Sequence, residues 1–276
     1  MKRQITAHIL MVRPANFGFN EQTAVNNAFQ ARSQVESEQT IQAKAIQEFD
    51  NFVIKLQEKG VDVTVAQDTT TPVKPDAIFP NNWITLHQDG TLITYPMFAP
   101  IRALERSKEI ENLIEKRFKV KTHIHLEHYE GVQKYLEGTG SMILDRINEI
   151  VYACLSPRTD PTILDEFCEL THYKRLLFNA VDGKGKDIYH TNVMMALGET
   201  FVVICMDTIR DENQRNTLIR QFEKNKKEII EISIDQMLHF AGNMLQVTNT
   251  HGQPYLIMSQ QALDRKSTRL NSSHRH

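Results

Sequence analysis

Apolar and polar positions alternate in the same way four times along the chain. Each time a small or amide residue is followed by a short apolar strand, a polar turn and a second apolar strand, which is typical of a β-hairpin. The spacings between the four starting residues are 58, 52 and 51 residues. Self-similarity at such a period predicts a repeated supersecondary unit. The four hairpins start at Asn82, Gly140, Asn192 and Asn243.

The segments between hairpins show helical periodicity and then a further short apolar run. We therefore predict that each repeat consists of a hairpin, a helix and a strand, which gives an α/β fold. The predicted helices, each with the strand that follows it, are Leu104–Phe118 with Lys119–Leu126, Pro161–Leu170 with Arg175–Val181, and Asp211–Glu223 with Ile229–Ile234.

The N-terminal segment resembles a repeat that lacks its first hairpin strand. A strand over His8–Val12 leads to a helix over Val35–Glu58 and a strand over Val61–Ala66. In a closed circular array the other end of the chain would supply the missing strand, and closure would remove exposed sheet edges. The pattern favours a five-fold pseudosymmetric ring that is incomplete at the C-terminus. The alternative is a plain α/β sandwich with coincidental spacing.

Composition narrows the class of protein. The chain has 276 residues, of which 41% are hydrophobic and 24% charged, and its net charge is -2. This balance gives no reason to expect nucleic acid or an anionic membrane as a partner. No apolar run is long enough for a signal peptide or a membrane span. Three cysteines without metal-ligand spacing fit reduced thiols and a cytoplasmic protein.

The C-terminal segment differs from the rest in composition. From Arg265 the chain reads RKSTRLNSSHRH, with Leu270 as its one large apolar residue. It resembles translated adapter sequence, and a natural disordered terminus is the alternative. We therefore expect a single domain over residues 1–264, an artefactual or disordered tail over 265–276, and a native C-terminus that this chain lacks.

Polar residues occupy equivalent places just ahead of three hairpins. They lie in Phe79–Trp83, in Leu136–Gly140 and in His190–Asn192. Because repeat-equivalent positions lie on the same side of a circular array, a glutamate, a histidine and three asparagines are expected to converge there. One histidine alone is more often a structural residue, whereas equivalent polar positions in three repeats favour a site.

The same segments carry a family resemblance, which extends from Ile5 to Leu263. The chain resembles the amidinotransferase and arginine deiminase group of the pentein superfamily, and is most similar to its citrulline-utilisation hydrolases. Each motif alone is weak, but their order and spacing together are specific. The motifs are MVRPANFGFN (Met11–Asn20), DAIFPNNW (Asp76–Trp83), YPMFAPIRALER (Tyr95–Arg106), LEGTGSMILDR (Leu136–Arg146), SPRT (Ser156–Thr159), YHTNVMM (Tyr189–Met195) and FAGNMLQV (Phe240–Val247).

The resemblance implies the pentein α/β-propeller and hydrolysis of a C–N bond through a cysteine thiolate. The thiolate attacks the planar carbon of a guanidino or ureido group, and a histidine protonates the leaving amine and then activates water. His190 matches that histidine, and Glu137 matches a glutamate that binds substrate nitrogen or orients the histidine. Phe79 matches an aromatic residue stacked over the planar group. Arg102 and Arg158 match arginines that can bind a substrate α-carboxylate.

Two departures from the family pattern bear on the substrate and on activity. Asn82 and Asn192 stand where arginine deiminases carry aspartates. A neutral ureido group suits amides better than a guanidinium does, so we expect citrulline or a related ureido compound as substrate. The family also carries its cysteine near the C-terminus, and this chain has none after Cys205. Cys154, Cys168 and Cys205 fit structural positions, so the chain as written is expected to be inactive.

Other functions remain open at this point. The alternatives are amidino transfer to an acceptor amine through the same intermediate, and a non-catalytic pentein ring that only binds. Such a ring would have no reason to keep the pair Glu137 and His190. We expect no cofactor and no metal, because the chain has no phosphate-binding loop and His123 and His125 have no spaced third ligand. The expected partner is a small-molecule substrate, and a homodimer is left open.

Overall fold

The computed structural model describes residues 2–25, 27 and 37–265. The chain divides into two compact units, each described here by itself. The N-terminal unit consists of Thr6–Gly138 and Thr248–Gln253, and the C-terminal unit takes in the described parts of Met1–Ile5, Thr139–Val247 and Pro254–His276. A single domain over 1–264 therefore stays a prediction. The expected tail, apart from Arg265, lies outside the described residues.

The strands are short and the helices vary in length. In the described part of the chain the strands are β1 (His8–Arg13), β2 (Asp62–Gln67), β3 (Ile84–Leu86), β4 (Thr91–Thr94), β5 (Thr122–His125), β6 (Ile143–Asp145), β7 (Ile150–Cys154), β8 (Lys174–Phe178), β9 (Met195–Leu197), β10 (Phe201–Ile204), β11 (Glu228–Glu231), β12 (Leu245–Thr248) and β13 (Pro254–Ile257). The helices are α1 (Glu21–Ala24), α2 (Glu38–Glu58), α3 (Pro100–Ala103), α4 (Lys108–Arg117), α5 (Gly138–Ser141), α6 (Pro161–Thr171), α7 (Thr191–Met194), α8 (Glu212–Lys224), α9 (Ile234–Leu238) and α10 (Gln260–Arg265).

Three sheets share one topology, which confirms the predicted repeat. Their strand orders are β3-β4-β5, β6-β7-β8 and β11-β10-β9. In each, the two hairpin strands pair antiparallel and the strand after the helix adds in parallel to the second of them. The fourth predicted hairpin is present as β12 and β13. The fold is therefore the mixed α/β fold expected from the pattern.

One hydrogen bond recurs where the third strand of a repeat begins. The carbonyl of the residue just before the second hairpin strand accepts from the backbone N–H that starts the third strand. In the second repeat this carbonyl belongs to Gly90, whose φ of +93° and close approach to the Lys119 carbonyl favour glycine. The pairs, as N–H to O distances, are Asp62 to Ala7 at 2.8 Å, Lys121 to Gly90 at 2.8 Å, Lys174 to Glu149 at 2.7 Å and Glu228 to Thr200 at 2.8 Å.

The same bond in the N-terminal segment supports its interpretation as a partial repeat. There β1 and β2 form a two-stranded parallel sheet, with His8 opposite Asp62. Within the described residues this sheet has no leading hairpin strand, as predicted. The predicted helix start at Val35 lies outside the described residues, and the described helix α2 begins at Glu38 after the N-cap Ser37.

One predicted helix was wrong in its boundaries. Leu104–Phe118 was expected as a single helix, but Leu104 is only the C-cap of a short helix, α3, and a separate helix, α4, begins at Lys108. Ser107 has extended backbone dihedrals, and its side chain accepts from the Ile110 N–H, so it caps α4 and separates the two. The third strand β8 likewise ends at Phe178, before the expected Val181.

Helix α4 and the first two sheets enclose the hydrophobic core of the N-terminal unit. Trp83, the one tryptophan of the chain, is fully buried there. Among the helices in the described ranges, none combines the length and the apolar character needed to cross a bilayer. The core residues are Val12, Ala66, Ala77, Trp83, Ile84, Leu92, Met97, Ile110 and Ile114.

Candidate active site

A short helical turn precedes the first strand of three hairpins and positions the predicted site residues. Asn82 ends the turn Pro80–Asn82, Glu137 directly precedes α5, and His190 is the N-cap of α7. The sequence pattern predicted the equivalence of these positions but placed them directly before strands. In the structure α5 separates Glu137 from its strand and α7 separates His190 from its strand, whereas only Trp83 lies between Asn82 and β3.

Arg102 is the centre of a buried polar cluster in the N-terminal unit. Its side chain is 3% exposed. Its Nε and Nη2 donate to the two carboxylate oxygens of Glu105 at 2.8 and 2.9 Å. A weaker bond from Nη2 reaches the Phe79 carbonyl at 3.4 Å. The guanidinium edge that would bind a substrate carboxylate is therefore occupied by Glu105, and the carboxylate-binding role expected of Arg102 stays a prediction.

Asn82 is held by the remaining side of the same guanidinium. Arg102 Nη1 donates to Asn82 Oδ1 at 2.8 Å. Asn82 is 4% exposed, and within the described residues its amide nitrogen donates to no protein acceptor. Because every nitrogen of arginine is a donor, only the amide oxygen can face it. The amide NH₂ group is therefore available to a ligand.

Glu137 completes the cluster from the next repeat. It is fully buried, accepts from the Phe98 backbone N–H at 2.9 Å, and lies 3.9 Å from Arg102 Nη1. Gly138 packs so closely that a Cβ there would lie 2.3 Å from the Asn81 carbonyl oxygen. Its φ of +42° also favours glycine. The glycine thus lets the segment that carries Glu137 approach the turn that carries Asn82.

Two carboxylates of the cluster were not predicted as site residues. Asp76 Oδ2 lies 3.8 Å from Arg102 Nε and accepts from Asn20 Nδ2 at 2.7 Å. Glu105 is the ion-pair partner of Arg102. Both lie in the family motifs, and the spacing of three residues between Arg102 and Glu105 was the available signal. Three carboxylates now face one guanidinium, so the site retains the negative charge that the two asparagines were expected to remove.

Burial and the neighbouring charges act on the pKa values of this cluster. Burial raises the pKa of Glu105 to about 7; Arg102 opposes this shift, and Asp76 and Glu137 add to it. For Arg102, burial lowers the pKa, but Glu105, Glu137 and Asp76 outweigh it and the net pKa is raised. Arg102 therefore stays charged.

Phe79 is the one exposed aromatic residue among the predicted site residues. Phe79 lies three residues after Asp76 in the motif DAIFPNNW, and it is 44% exposed. Its backbone carbonyl is tied to Arg102 at 3.4 Å. The N-terminal unit therefore brings four predicted residues together, namely Phe79, Asn82, Arg102 and Glu137.

The C-terminal unit holds the other three predicted residues. Arg158 is 1% exposed, and its guanidinium carbon lies 4.8 Å from the centroid of the Tyr189 ring. The rings of Tyr189 and His190 are also 4.8 Å apart between centroids, so Tyr189 contacts both predicted residues. Tyr189 was not predicted as a site residue, although it opens the YHTNVMM motif. Asn192 is half-buried in α7.

Thr191 fixes the backbone beside His190. Its hydroxyl donates to the Ser141 carbonyl at 2.6 Å and accepts from the Cys154 N–H at 2.9 Å. The Ser141 hydroxyl in turn donates to the Arg158 carbonyl at 2.7 Å. These bonds connect the segments that carry Arg158 and His190. The convergence of His190 with Glu137 stays a prediction.

The cysteines of the chain have the properties of structural thiols. Burial raises the pKa of Cys154, Cys168 and Cys205 to about 11 in each case. Cys154 and Cys205 are fully buried. A thiol nucleophile acts as the thiolate, which a raised pKa disfavours. That all three are structural stays a prediction.

The two histidines of β5 contact each other, and one of them contacts an acidic side chain. The rings of His123 and His125 lie 3.9 Å apart between centroids, and His125 Nδ1 is 2.8 Å from a Glu127 carboxylate oxygen. Across residues 2–25, 27 and 37–265, no group of three or more potential ligands could hold a metal ion.

Solved structures with related folds cover most of this chain. The N-terminal domain of ArgZ bound to substrate, an arginine dihydrolase from the ornithine-ammonia cycle in Cyanobacteria, has a TM-score of 0.67 at 16% identity, over 86% of this chain and 80% of that one. DDAH from Pseudomonas aeruginosa complexed with citrulline has a TM-score of 0.64 at 16% identity, over 96% and 89%. At this identity the likeness shows the fold.

Full-length ArgZ is longer than the present chain. It matches with a TM-score of 0.67 at 16% identity, but the match covers 87% of this chain and only 33% of ArgZ. The chain thus spans about a third of the full-length ArgZ chain. No curated protein sequence matches this chain.

A family model establishes the relationship. The model described as "N,N dimethylarginine dimethylhydrolase, eukaryotic" matches residues 13–273, which is most of the chain. Together with the folds of ArgZ and DDAH, this match confirms the resemblance to the pentein superfamily. The chain belongs to the N,N dimethylarginine dimethylhydrolase family.

Proposed function

We propose that this chain carries the substrate site of a C–N hydrolase that acts on a ureido or guanidino amino acid. The observation that carries the proposal is the fully buried carboxylate of Glu137, which belongs to the same cluster as the half-exposed Phe79. A carboxylate accepts several hydrogen bonds, so Glu137 suits a ligand with N–H donors, and the exposed ring of Phe79 suits a planar group. A ureido or guanidino group supplies both features.

The remaining predicted residues receive roles in the same proposal. Glu137 binds substrate nitrogen and Phe79 stacks on the planar group. His190 is the acid and base, and Asn82 and Asn192 bind the ureido group. Arg158 is the better candidate for the substrate α-carboxylate, because the carboxylate-binding edge of Arg102 is occupied by Glu105.

The names of the relatives support the choice of substrate class. ArgZ is an arginine dihydrolase, the Pseudomonas enzyme binds citrulline, and the family is described as acting on N,N dimethylarginine. These compounds share a planar group joined to an α-amino acid. Among them we favour citrulline, because Asn82 offers a donor and its oxygen is already taken.

We also propose the pentein ring and the absence of a nucleophile among the three cysteines. The shared order of three sheets and the recurring bond at the third strand support a five-fold pseudosymmetric ring of repeats. The raised pKa values of all three thiols support the second point. The chain as written is therefore expected to bind substrate without hydrolysing it.

Equilibrium binding tests the proposal without requiring turnover. Citrulline, arginine and N,N dimethylarginine are titrated by calorimetry against the wild-type chain and the Glu137→Gln variant. Wild type should bind citrulline, and the variant should bind it at least tenfold more weakly because an NH₂ donor replaces one of the two carboxylate acceptor oxygens. Glu58→Gln, on the exposed end of α2, is the matched control and should bind normally.

Two results would contradict the proposal. The first is that none of the three compounds binds to the folded wild-type chain. The second is that Glu137→Gln and Glu58→Gln bind citrulline equally well. Release of ammonia from citrulline by the wild-type chain would contradict only the assignment of Cys154, Cys168 and Cys205 as structural thiols.

A further inference from the structure

We propose that Glu105 is a positioning residue that acts through Arg102 to orient the Asn82 amide, so that the site selects a ligand oxygen over a ligand N–H. This inference rests on the proposed function, because it concerns which planar group the same site prefers. Glu105 itself bonds to Arg102 through both of its carboxylate oxygens.

The first step is the two-point contact between Glu105 and Arg102. The two bonds of 2.8 and 2.9 Å use Nε and Nη2, which fixes the plane and the rotation of the guanidinium. Nη2 also reaches the Phe79 carbonyl. Only Nη1 is left to face Asn82, and it does so at 2.8 Å.

The second step is the orientation of the Asn82 amide. A guanidinium offers donors only, so the Asn82 oxygen must face Arg102 and the NH₂ group must face away. Because Asn82 is 4% exposed and its NH₂ group meets no acceptor within the described residues, a bound acceptor would be favourable there. A ureido carbonyl oxygen is such an acceptor, whereas a guanidinium presents N–H groups on every side.

The third step is what Glu105 prevents. Two other carboxylates lie just beyond bonding distance of Arg102, Asp76 at 3.8 Å and Glu137 at 3.9 Å. Without the two-point contact, the guanidinium is free to rotate toward either of them and to release Asn82. The amide could then turn its oxygen toward the ligand and accept from a guanidinium. Glu105 is therefore the residue that makes the preference for a ureido group possible.

Charge and orientation predict opposite effects of one substitution. Above pH 7, where Glu105 is ionised, Glu105→Gln removes a negative charge, so a purely electrostatic role would weaken binding of cationic arginine relative to neutral citrulline. Release of the Asn82 amide would instead strengthen arginine relative to citrulline. A purely structural role would leave the ratio of the two dissociation constants unchanged. The direction of the change in this ratio therefore separates the three roles.

The experiment combines calorimetry with NMR of the side-chain amide of Asn82. Dissociation constants of arginine and citrulline are measured for wild type, Glu105→Gln and Glu105→Asp. Glu111→Gln is the matched control, because Glu111 is also a buried carboxylate paired with a cation, Lys108, in the same unit. The Asn82 NH₂ signal is assigned by its loss in Asn82→Ser.

For Glu105→Gln, the ratio of the arginine to the citrulline dissociation constant should fall at least tenfold, about 1.4 kcal/mol. The ratio for Glu105→Asp should lie between those of wild type and Glu105→Gln, and the ratio for Glu111→Gln should equal that of wild type. The Asn82 NH₂ signal should shift in Glu105→Gln without any ligand. In wild type, citrulline should shift it more than arginine does.

Several outcomes would overturn the inference. An unchanged or increased ratio in Glu105→Gln is one, and an Asn82 signal that does not respond to that substitution is another. If Glu105→Gln does not fold, equal shifts of the wild-type signal by citrulline and arginine would refute it. If neither ligand binds to wild type, the proposed function fails, whereas the ligand-free shift of the Asn82 signal still tests the orientation.

Discussion

Replacing Gly138 by alanine should both destabilise the N-terminal unit and weaken the site. The added Cβ would lie 2.3 Å from the Asn81 carbonyl oxygen and 3.0 Å from that of Asn82. Both atoms belong to the backbone, so a side-chain rotation cannot relieve the contact. The turn that carries Asn82 must therefore move by several tenths of an ångström or more.

The magnitude follows from two costs and one gain. A non-glycine residue at positive φ costs about 1–2 kcal/mol, and overpacking against backbone costs about 1–3 kcal/mol. The lower entropy of the unfolded alanine chain returns about 0.4–1 kcal/mol. The free energy of unfolding should therefore fall by about 1–5 kcal/mol. Affinity for citrulline should fall as well, because Asn82 and Glu137 are displaced together.

Urea unfolding followed by Trp83 fluorescence measures the effect. Trp83 is the only tryptophan and is fully buried in the N-terminal unit, so its emission reports on that unit. Gly131→Ala is the matched control, because a Cβ there meets nothing within 4 Å and no positive φ is involved. Equal stabilities of Gly138→Ala and Gly131→Ala, with unchanged citrulline binding, would refute the reasoning.

Three further predictions follow from buried groups. Lys227→Met should lower the free energy of unfolding by about 3 kcal/mol, because the Lys227 ammonium donates to the Gly198 and Glu199 carbonyls at 2.9 and 2.7 Å beside buried Asp145. Urea unfolding followed by circular dichroism measures this loss. Adding Asp145→Asn to the variant should restore part of it. Between pH 4.5 and about 7, folded Glu105 holds a proton that the unfolded chain has lost. Raising the pH across this range should therefore lower the free energy of unfolding of wild type by about 3 kcal/mol relative to that of Glu105→Gln. Urea titrations at the two ends of the range measure this, and parallel pH profiles would contradict it. At pH 8 the three cysteines should react with an alkylating reagent about 100-fold more slowly in the native chain than in the unfolded chain, because their pKa values are raised from 9.0 to about 11. Mass spectrometry over time measures the rates. Rapid alkylation of the native chain would contradict the assignment of these cysteines as structural thiols.

Hairpins and their turns could be predicted because their signals are local. Alternating apolar residues and turn residues such as Gly90 specify β3 and β4 without reference to the rest of the chain. The boundary between α3 and α4 was missed although its signal is also local. Apolar residues continue at helical spacing through Leu104, and this periodicity masked the capping serine Ser107.

The members of the polar cluster could be predicted only in part. Asn82 and Glu137 stand at repeat-equivalent positions, which a search for self-similarity finds. Asp76 and Glu105 have no such equivalence, and their role depends on which oxygen meets which nitrogen of Arg102. Sequence spacing does not specify such contacts. The orientation of the Asn82 amide is likewise a property of the folded cluster.

Three of the hairpins also have a predicted site residue at one end and a loop at the other end. One end of a hairpin carries the helical turn with Asn82, Glu137 or His190, and the other end carries the loop that bonds to the third strand. Loops tolerate replacement better than site residues do, provided that their backbone hydrogen bonds are kept. Dyes, affinity tags or sequence from another family member can therefore be placed in the Asn148–Glu149 loop, whereas the Gly198–Glu199 loop must be kept because its carbonyls accept from Lys227. Such grafts would report on ligand binding from the far end of the same strands that hold the site.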